Sequence, residues 1–265
     1  MDGLAQFKQA QKEGWKSFAP LEVITTPAGA RLVHFAGVGP GMRVLDVGCG
    51  TGVVAVTAAR TGAQVQGIDL TPELLDRARE NATTAAVAVD WREGDVEQLP
   101  YSDGEFDVVL SQFAHMFAPR PQVAVGEMLR VLRAGGTIAF STWPPELLVG
   151  RTMALRAKYL PPPPPGVASP EPWGQTEFVR TQLGDRVRDL VFDRGSLRVP
   201  ALSVQHFRLN IERAAGPMRK LVEAMESKSP ERLAEFRAEF DAIVALYYRD
   251  NLVRQDYLMA RAVKA

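Results

Sequence analysis

The nine residues Val44-Leu45-Asp46-Val47-Gly48-Cys49-Gly50-Thr51-Gly52 constrain the fold more than any other stretch of the chain. The apolar run between Gly41 and Gly48 has the composition of a buried parallel strand, and Val53 to Arg60 behind the last glycine has that of a helix. Strand, bend and helix form the first half of a βαβ unit. Three glycines at alternate positions let the bend take dihedrals closed to other residues and leave its peptide groups uncovered. Because the following helix begins with free N–H groups and a partial positive charge, the bend suits a ligand carrying a carboxylate or a phosphate.

Spacing narrows the choice of ligand. A dinucleotide fingerprint needs Gly-x-Gly-x-x-Gly, and counting from Gly48 this chain has Val53 where the third glycine should stand. A P-loop fails as well, because no Gly-Lys-Ser/Thr closes the turn. The pattern Asp-x-Gly-x-Gly-x-Gly from Asp46 to Gly52 resembles motif I of the class I S-adenosylmethionine-dependent methyltransferases. A second pattern, Gly-Asp-x-x-x-Leu-Pro-Tyr-x-Asp from Gly94 to Asp103 followed by Phe106-Asp107-Val108-Val109, is common in their ubiquinone/menaquinone-biosynthesis-like (type 11) branch. The resemblance implies S-adenosyl-L-methionine as cofactor, with Asp46, Gly48, Cys49, Gly50, Thr51 and Gly52 around its methionine end.

Gln64 to Asp69 reads as the second strand, and Asp69 lies 17 residues beyond Gly52. An acid at the carboxyl end of that strand accepts hydrogen bonds from both ribose hydroxyls, in dinucleotide and methyl-donor folds alike. Leu70 is then expected against the adenine face. By the same resemblance Asp95 bonds the adenine amino group and the Val96 backbone meets a ring nitrogen. Phe106 to Ser111 reads as the fourth strand; ligands of open α/β sheets sit beyond carboxyl ends, so the segment from Ser111 and Gln112 through Phe113 to Phe117 is expected to line the gap between donor and acceptor. His115, in this segment, is the candidate general base by position and by its near-neutral intrinsic pKa, the alternative being a histidine that holds loop backbone or faces solvent. Pro121 to Leu132 is predicted as a helix stopped by Gly135-Gly136 before a fifth strand, which matches the family's Leu-x-x-Gly-Gly element with Ala134 where proline is more usual.

The expected fold is α/β: a Rossmann-like, doubly wound, seven-stranded sheet with a helical, proline-containing insertion in the C-terminal half. Residues 1–25 are expected to form an N-terminal lid helix, 26–143 the cofactor-binding core, and 144–265 an insertion plus the closing strands. Within the first segment Trp15 and Phe18 are either lid residues, as in many small-molecule methyltransferases, or aromatics docked on the domain's edge. Thr26-Pro27 is read as the start of a helix that stops at Gly37. Five prolines from Pro161 to Pro165 favour a stiff extended connector. Helical spacing returns over 204–214, 217–226 and 230–248, and Tyr257 to Val263 reads as the closing strand, antiparallel by family analogy.

Composition excludes several classes. Lys plus Arg and Asp plus Glu are 31 each, so no basic excess points to nucleic acid. The lone cysteine, Cys49, rules out an internal disulfide and base methylation through a Pro-Cys nucleophile, and suits a reducing cytoplasm. Neither a secretory leader nor a membrane span is legible, no metal site is read, and homodimer formation stays open. The function expected is methyl transfer from S-adenosylmethionine to the O, N or C atom of a small, partly apolar metabolite, with His115-Met116-Phe117, Trp143 and the insertion as candidate lining of its pocket. A non-catalytic protein binding the donor or S-adenosylhomocysteine is the alternative; a nicotinamide oxidoreductase is argued against by Val53 and Asp95.

Overall fold

The computed structural model describes residues 3–265, so Met1 and Asp2 of the expected lid segment lie outside the described residues. Strands β1 (Arg43–Val47), β2 (Gln64–Asp69), β3 (Asp90–Glu93), β4 (Phe106–Gln112), β5 (Leu132–Thr142), β6 (Val187–Pro200), β7 (Tyr248–Arg249) and β8 (Leu252–Lys264) form one sheet. Its order is β3-β2-β1-β4-β5-β8-β6, with the two-residue β7 attached to β8. The first five strands are parallel, and β8 is antiparallel to both neighbours, as the resemblance implied.

The Val44-Leu45 run places β1 between β2 and β4, where four of its five residues are buried. A strand covered on both faces needs such a continuous apolar sequence. Around the sheet lie α1 (Gly3–Trp15), α2 (Glu22–Phe35), α3 (Val53–Ala59), α4 (Pro72–Thr84) and α5 (Pro121–Val131).

Three expected boundaries move. Helix α2 begins at Glu22, so Pro27 lies inside it and a division at residue 25 would cut a continuous helix. Proline there removes the N–H that the Val23 carbonyl would receive, and the freed turn is held by tertiary packing instead. Strand β5 begins at Leu132, ahead of Gly135-Gly136, because Leu132 pairs with Phe106 across an irregular register and its carbonyl accepts Lys264 Nζ at 2.7 Å. The helix read over 230–248 ends at Ala245, where the chain turns into β7.

Helices α6 (Leu148–Tyr159), α7 (Thr176–Leu183), α8 (Val204–Ala214), α9 (Gly216–Lys228) and α10 (Pro230–Ala245) lie in the C-terminal half. All but α7, whose Val179 and Leu183 join the main core, build a second apolar core around Phe207, Met218, Leu221, Phe236 and Phe240, which also takes in Val199 of β6 and Val253 of β8. These two strands stay paired out to Pro200 opposite Leu252, whereas β5 ends at Thr142 opposite Leu258. The β6/β8 ribbon therefore projects about 20 Å past the carboxyl edge of β5 and carries the second core with it.

Candidate cofactor and acceptor site

All three glycines of the bend have positive φ: +65° at Gly48, +53° at Gly50 and +80° at Gly52. Their missing side chains serve different ends. A Cβ on Gly48 would lie 2.3 Å from the methyl of Ala114, and one on Gly52 would lie 2.6 Å from the indole of Trp91. A Cβ on Gly50 would meet nothing within 4 Å. Two glycines thus admit packing partners and the middle one keeps the space above the bend open. Trp91 of β3 packs against the bend at Gly52 and also fills the room left by Gly67.

Asp46 closes β1 behind the bend and is 1% exposed. Its Oδ2 accepts the Ala55 N–H at 3.0 Å, while its Oδ1 is buried with no partner. Burial pushes its pKa up to about 7, with Asp69 adding a smaller push. Asp69 accepts the Gly50 N–H at 2.8 Å and the Thr71 N–H at 2.9 Å, so its carboxylate is turned into the bend; burial raises its pKa too. Cys49 is buried beside Gly67, and burial raises its thiol well above the ordinary value. Thr51 is also buried, and its carbonyl accepts the Asn81 amide at 3.0 Å. Leu70 and Val96 are half-buried at the ends of the next two strands. Asp95 follows β3 on the same edge, its Oδ1 accepting the Glu97 N–H at 2.9 Å.

Helix α1 crosses this edge. Lys8, Lys12 and Lys16 recur at helical spacing and meet acids from three elements: Lys8 reaches Asp95 at 2.5 Å and Glu97 at 2.6 Å, Lys12 reaches Glu93 at 2.5 Å, and Lys16 reaches Glu73 at 2.9 Å. Gln11 donates to the Phe117 carbonyl at 2.7 Å. Trp15 packs on Phe117 with centroids 5.4 Å apart and meets Phe18 edge-on at 5.7 Å, which places both aromatics under the crossing helix. Sequence reasoning saw the aromatics and missed the lysine register. It also missed Glu97, whose buried carboxylate joins Lys8 to the backbone and guanidinium of Arg120, and Glu22, which ties the start of α2 to Arg77 and Asn81.

At the end of β4 the structure corrects three expectations. Ser111 is fully buried; its hydroxyl donates to the Val47 carbonyl at 2.9 Å and accepts the His115 N–H at 3.1 Å, so it pins the strand end and does not line the gap. Gln112 turns toward α2 and donates to the Thr25 carbonyl at 2.8 Å. His115 is 1% exposed, with both ring nitrogens buried and unpartnered among the described residues. It lies 4.4 Å from the Phe140 ring and 4.9 Å from the Trp173 ring, and burial alone lowers its pKa to about 3. A neutral imidazole sealed in an aromatic box cannot serve as a base at the cleft.

The side chains packed beside the bend are aromatic: Phe113 is half-buried, and Trp143 and Tyr257 behind it are 8% and 2% exposed. Phe113, held at φ +55°, stacks on Trp143 with centroids 3.9 Å apart and meets Tyr257 edge-on at 5.4 Å. These residues stand just past the ends of β4 and β5 and on the adjoining part of β8. A non-glycine residue with positive φ costs free energy, and such strain gathers where function needs a side chain aimed unusually. Phe113 lies in the segment expected to line the gap and Trp143 was a pocket candidate, whereas Tyr257 was read only as part of the closing strand.

The residues present fit the expected methyl donor. A cationic group arriving at the bend would give the orphaned Asp46 Oδ1 the partner it lacks, and the space above Gly50 admits an amino-acid tail. No cluster of three His, Cys, Asp or Glu able to hold a metal occurs among the described residues.

Comparison with known proteins agrees with this geometry. Residues 45–140 match the family described as a methyltransferase domain. An uncharacterised protein of Mycobacterium tuberculosis is 38% identical over 244 residues, covering 92% of this chain and 89% of its own length. A ubiquinone biosynthesis O-methyltransferase of Xanthomonas campestris pv. campestris is 42% identical over 104 residues, 39% of this chain and 44% of its own. Among solved structures, a provisionally assigned methyltransferase from Bacillus halodurans superposes with a TM-score of 0.60 at 21% identity, covering 89% of this chain and 98% of that one, which shows a shared fold.

Proposed function

The chain belongs to the class I S-adenosylmethionine-dependent methyltransferases, and on that premise we propose that it methylates a small, partly apolar metabolite held against Phe113, Trp143 and Tyr257. The observation carrying this reading is the aromatic set itself, built at the carboxyl ends of β4 and β5 beside the glycine bend. Ligands of open α/β sheets occupy that edge, and stacked rings offer area to an apolar body at little entropic cost.

When bound, S-adenosylmethionine supplies a methyl group on a sulfonium, open to in-line attack with no acid needed at the leaving thioether. In this reading Gly48 to Gly52 and Asp46 would hold its amino-acid end, Asp69 the ribose, Leu70 the adenine face, the Val96 backbone a ring nitrogen and Asp95 the amino group. The chain's own contribution is placement: the aromatic rings orient the acceptor and keep water away, and α1 covers the edge from the other side. A formal charge of zero favours a small molecule over nucleic acid as acceptor. Among the described residues no helix is long and apolar enough to cross a membrane.

The test is transfer of isotope from methyl-labelled S-adenosylmethionine into a small-molecule metabolite extract. Wild-type protein should label at least one low-molecular-weight product, and Trp143→Ala should reduce the label at least tenfold while S-adenosylhomocysteine still binds. Tight S-adenosylhomocysteine binding with label appearing only in macromolecules would overturn the small-molecule assignment.

A further inference from the structure

A cavity of about 470 Å3 opens between the first turns of α2 and the part of β6 that outruns β5. Ile24 and Pro27 line it from one side and Leu197, Val199 and Pro200 from the other. Its size falls within the range of small-molecule sites, roughly 300–1,000 Å3. Phe113, Trp143 and Tyr257 are not in the lining, but each wall begins one residue from a group held at their end of the sheet. Ile24 precedes Thr25, whose carbonyl is held by Gln112 at the end of β4. Ser196 follows Gly195, where the Tyr257 ring occupies the room of the missing side chain, a Cβ there lying 2.1 Å from the ring. From Ser196 to Pro200 the wall runs about 13 Å away from Tyr257.

The charged side chain in this lining is Arg198. It has no ion pair or hydrogen bond among the described residues, whereas Arg31, on α2, is taken by Asp193 at 2.7 Å. An unpartnered guanidinium beside apolar walls presents a planar fork that matches a carboxylate or phosphate. Resting on the methyltransferase reading above, we propose that the acceptor is an apolar molecule bearing an anionic group: its body lies in this cavity, its reacting atom at the Tyr257 end and its anion at Arg198.

The probes are decanoate and 2-naphthoate with their uncharged amides, titrated by calorimetry into full-length protein saturated with S-adenosylhomocysteine at 50 mM salt. Each acid should bind about fivefold tighter than its amide, the advantage an exposed ion pair gives, and should lose that advantage at 500 mM salt. Arg198→Gln should bring acid and amide together without changing S-adenosylhomocysteine affinity. Ser196→Trp, at an exposed position lining the cavity, should weaken all four probes at least tenfold and leave S-adenosylhomocysteine untouched. Absence of binding by both acids, equal affinity of acids and amides, or an Arg198→Gln variant that still prefers the acids overturns the proposal. Failure of wild-type protein to bind S-adenosylhomocysteine at all would instead strike the reading on which it rests.

Discussion

Asp46→Asn offers the sharpest test of the site. Asp46 is 1% exposed, one of its oxygens is orphaned, and its pKa stands at about 7 against an ordinary 3.8. The folded state therefore holds a proton that the unfolded state releases between about pH 4 and pH 7. A raised carboxyl pKa contributes stability at low pH that is lost as pH rises through the folded value. Three pH units at about 1.4 kcal/mol each make that loss about 4 kcal/mol. Asparagine cannot ionise. Whatever its own fit costs, the stability of variant minus wild type should climb by about 4 kcal/mol from pH 4 to pH 8, or roughly 10 °C in melting temperature for a chain of this size. Taking the difference cancels the opposing slope from His115. The assay is thermal melting of ligand-free protein at half-unit pH steps, with S-adenosylhomocysteine calorimetry beside it. The variant should bind this ligand at least tenfold more weakly at pH 8, because the ligand's ammonium loses its carboxylate partner. A flat difference across that range refutes the buried, unpaired carboxylate; undiminished ligand affinity refutes its place in the cofactor site.

His115→Phe should keep methyl transfer within about threefold of wild type and resist acid better. A folded pKa near 3 means the unfolded state alone takes a proton below pH 6.5, so wild type loses up to about 5 kcal/mol as pH falls toward 3 while the variant does not; melts at pH 4 and pH 7 check this. Gly50→Ala places a methyl in open space at the cost of about 1 kcal/mol of backbone strain, so it should fold and yet bind S-adenosylhomocysteine at least tenfold more weakly. Gly52→Ala, which drives a Cβ to 2.6 Å from the Trp91 ring, should cost several degrees in melting temperature. Replacing Lys8, Lys12 and Lys16 together with Gln should speed chymotrypsin cleavage after Phe7 or Trp15 severalfold at low salt, with the gap closing at 1 M NaCl; equal rates at low salt would show that the ion pairs do not hold α1.

What could be read from the sequence is what local pattern alone determines. The glycine bend and Asp69 at the next strand end were legible because strand–bend–helix order fixes the edge on which they meet; the antiparallel direction of the closing strand came only from the family resemblance. Ser111 and Gln112 were misjudged because a strand sends alternate side chains to opposite faces, and which face meets the cleft depends on neighbours not yet placed. His115 was misjudged for a longer-range reason: Trp173, far along the chain, closes over it. The start of α2 moved because packing tolerates Pro27 where helical preference alone forbids it. The lysine register of α1 was present in the sequence as spacing, but its partners sit in α4, in β3 and in the loop after β3, where single acids carry no signal of their own.

The long β6/β8 ribbon decides which wall of the enzyme can move. Its strands belong at once to the main sheet and to the helical C-terminal half, so that half cannot swing on a hinge without tearing the sheet's own ladder. The N-terminal rod is tied to that same half, because Gly14 meets Gly216 backbone to backbone and Lys220 holds the Ala10 carbonyl, while its own lysines reach the sheet's carboxyl edge. Salt weakens only the lysine side of that fastening, so the rod stays docked on the helical half when its grip on the sheet loosens.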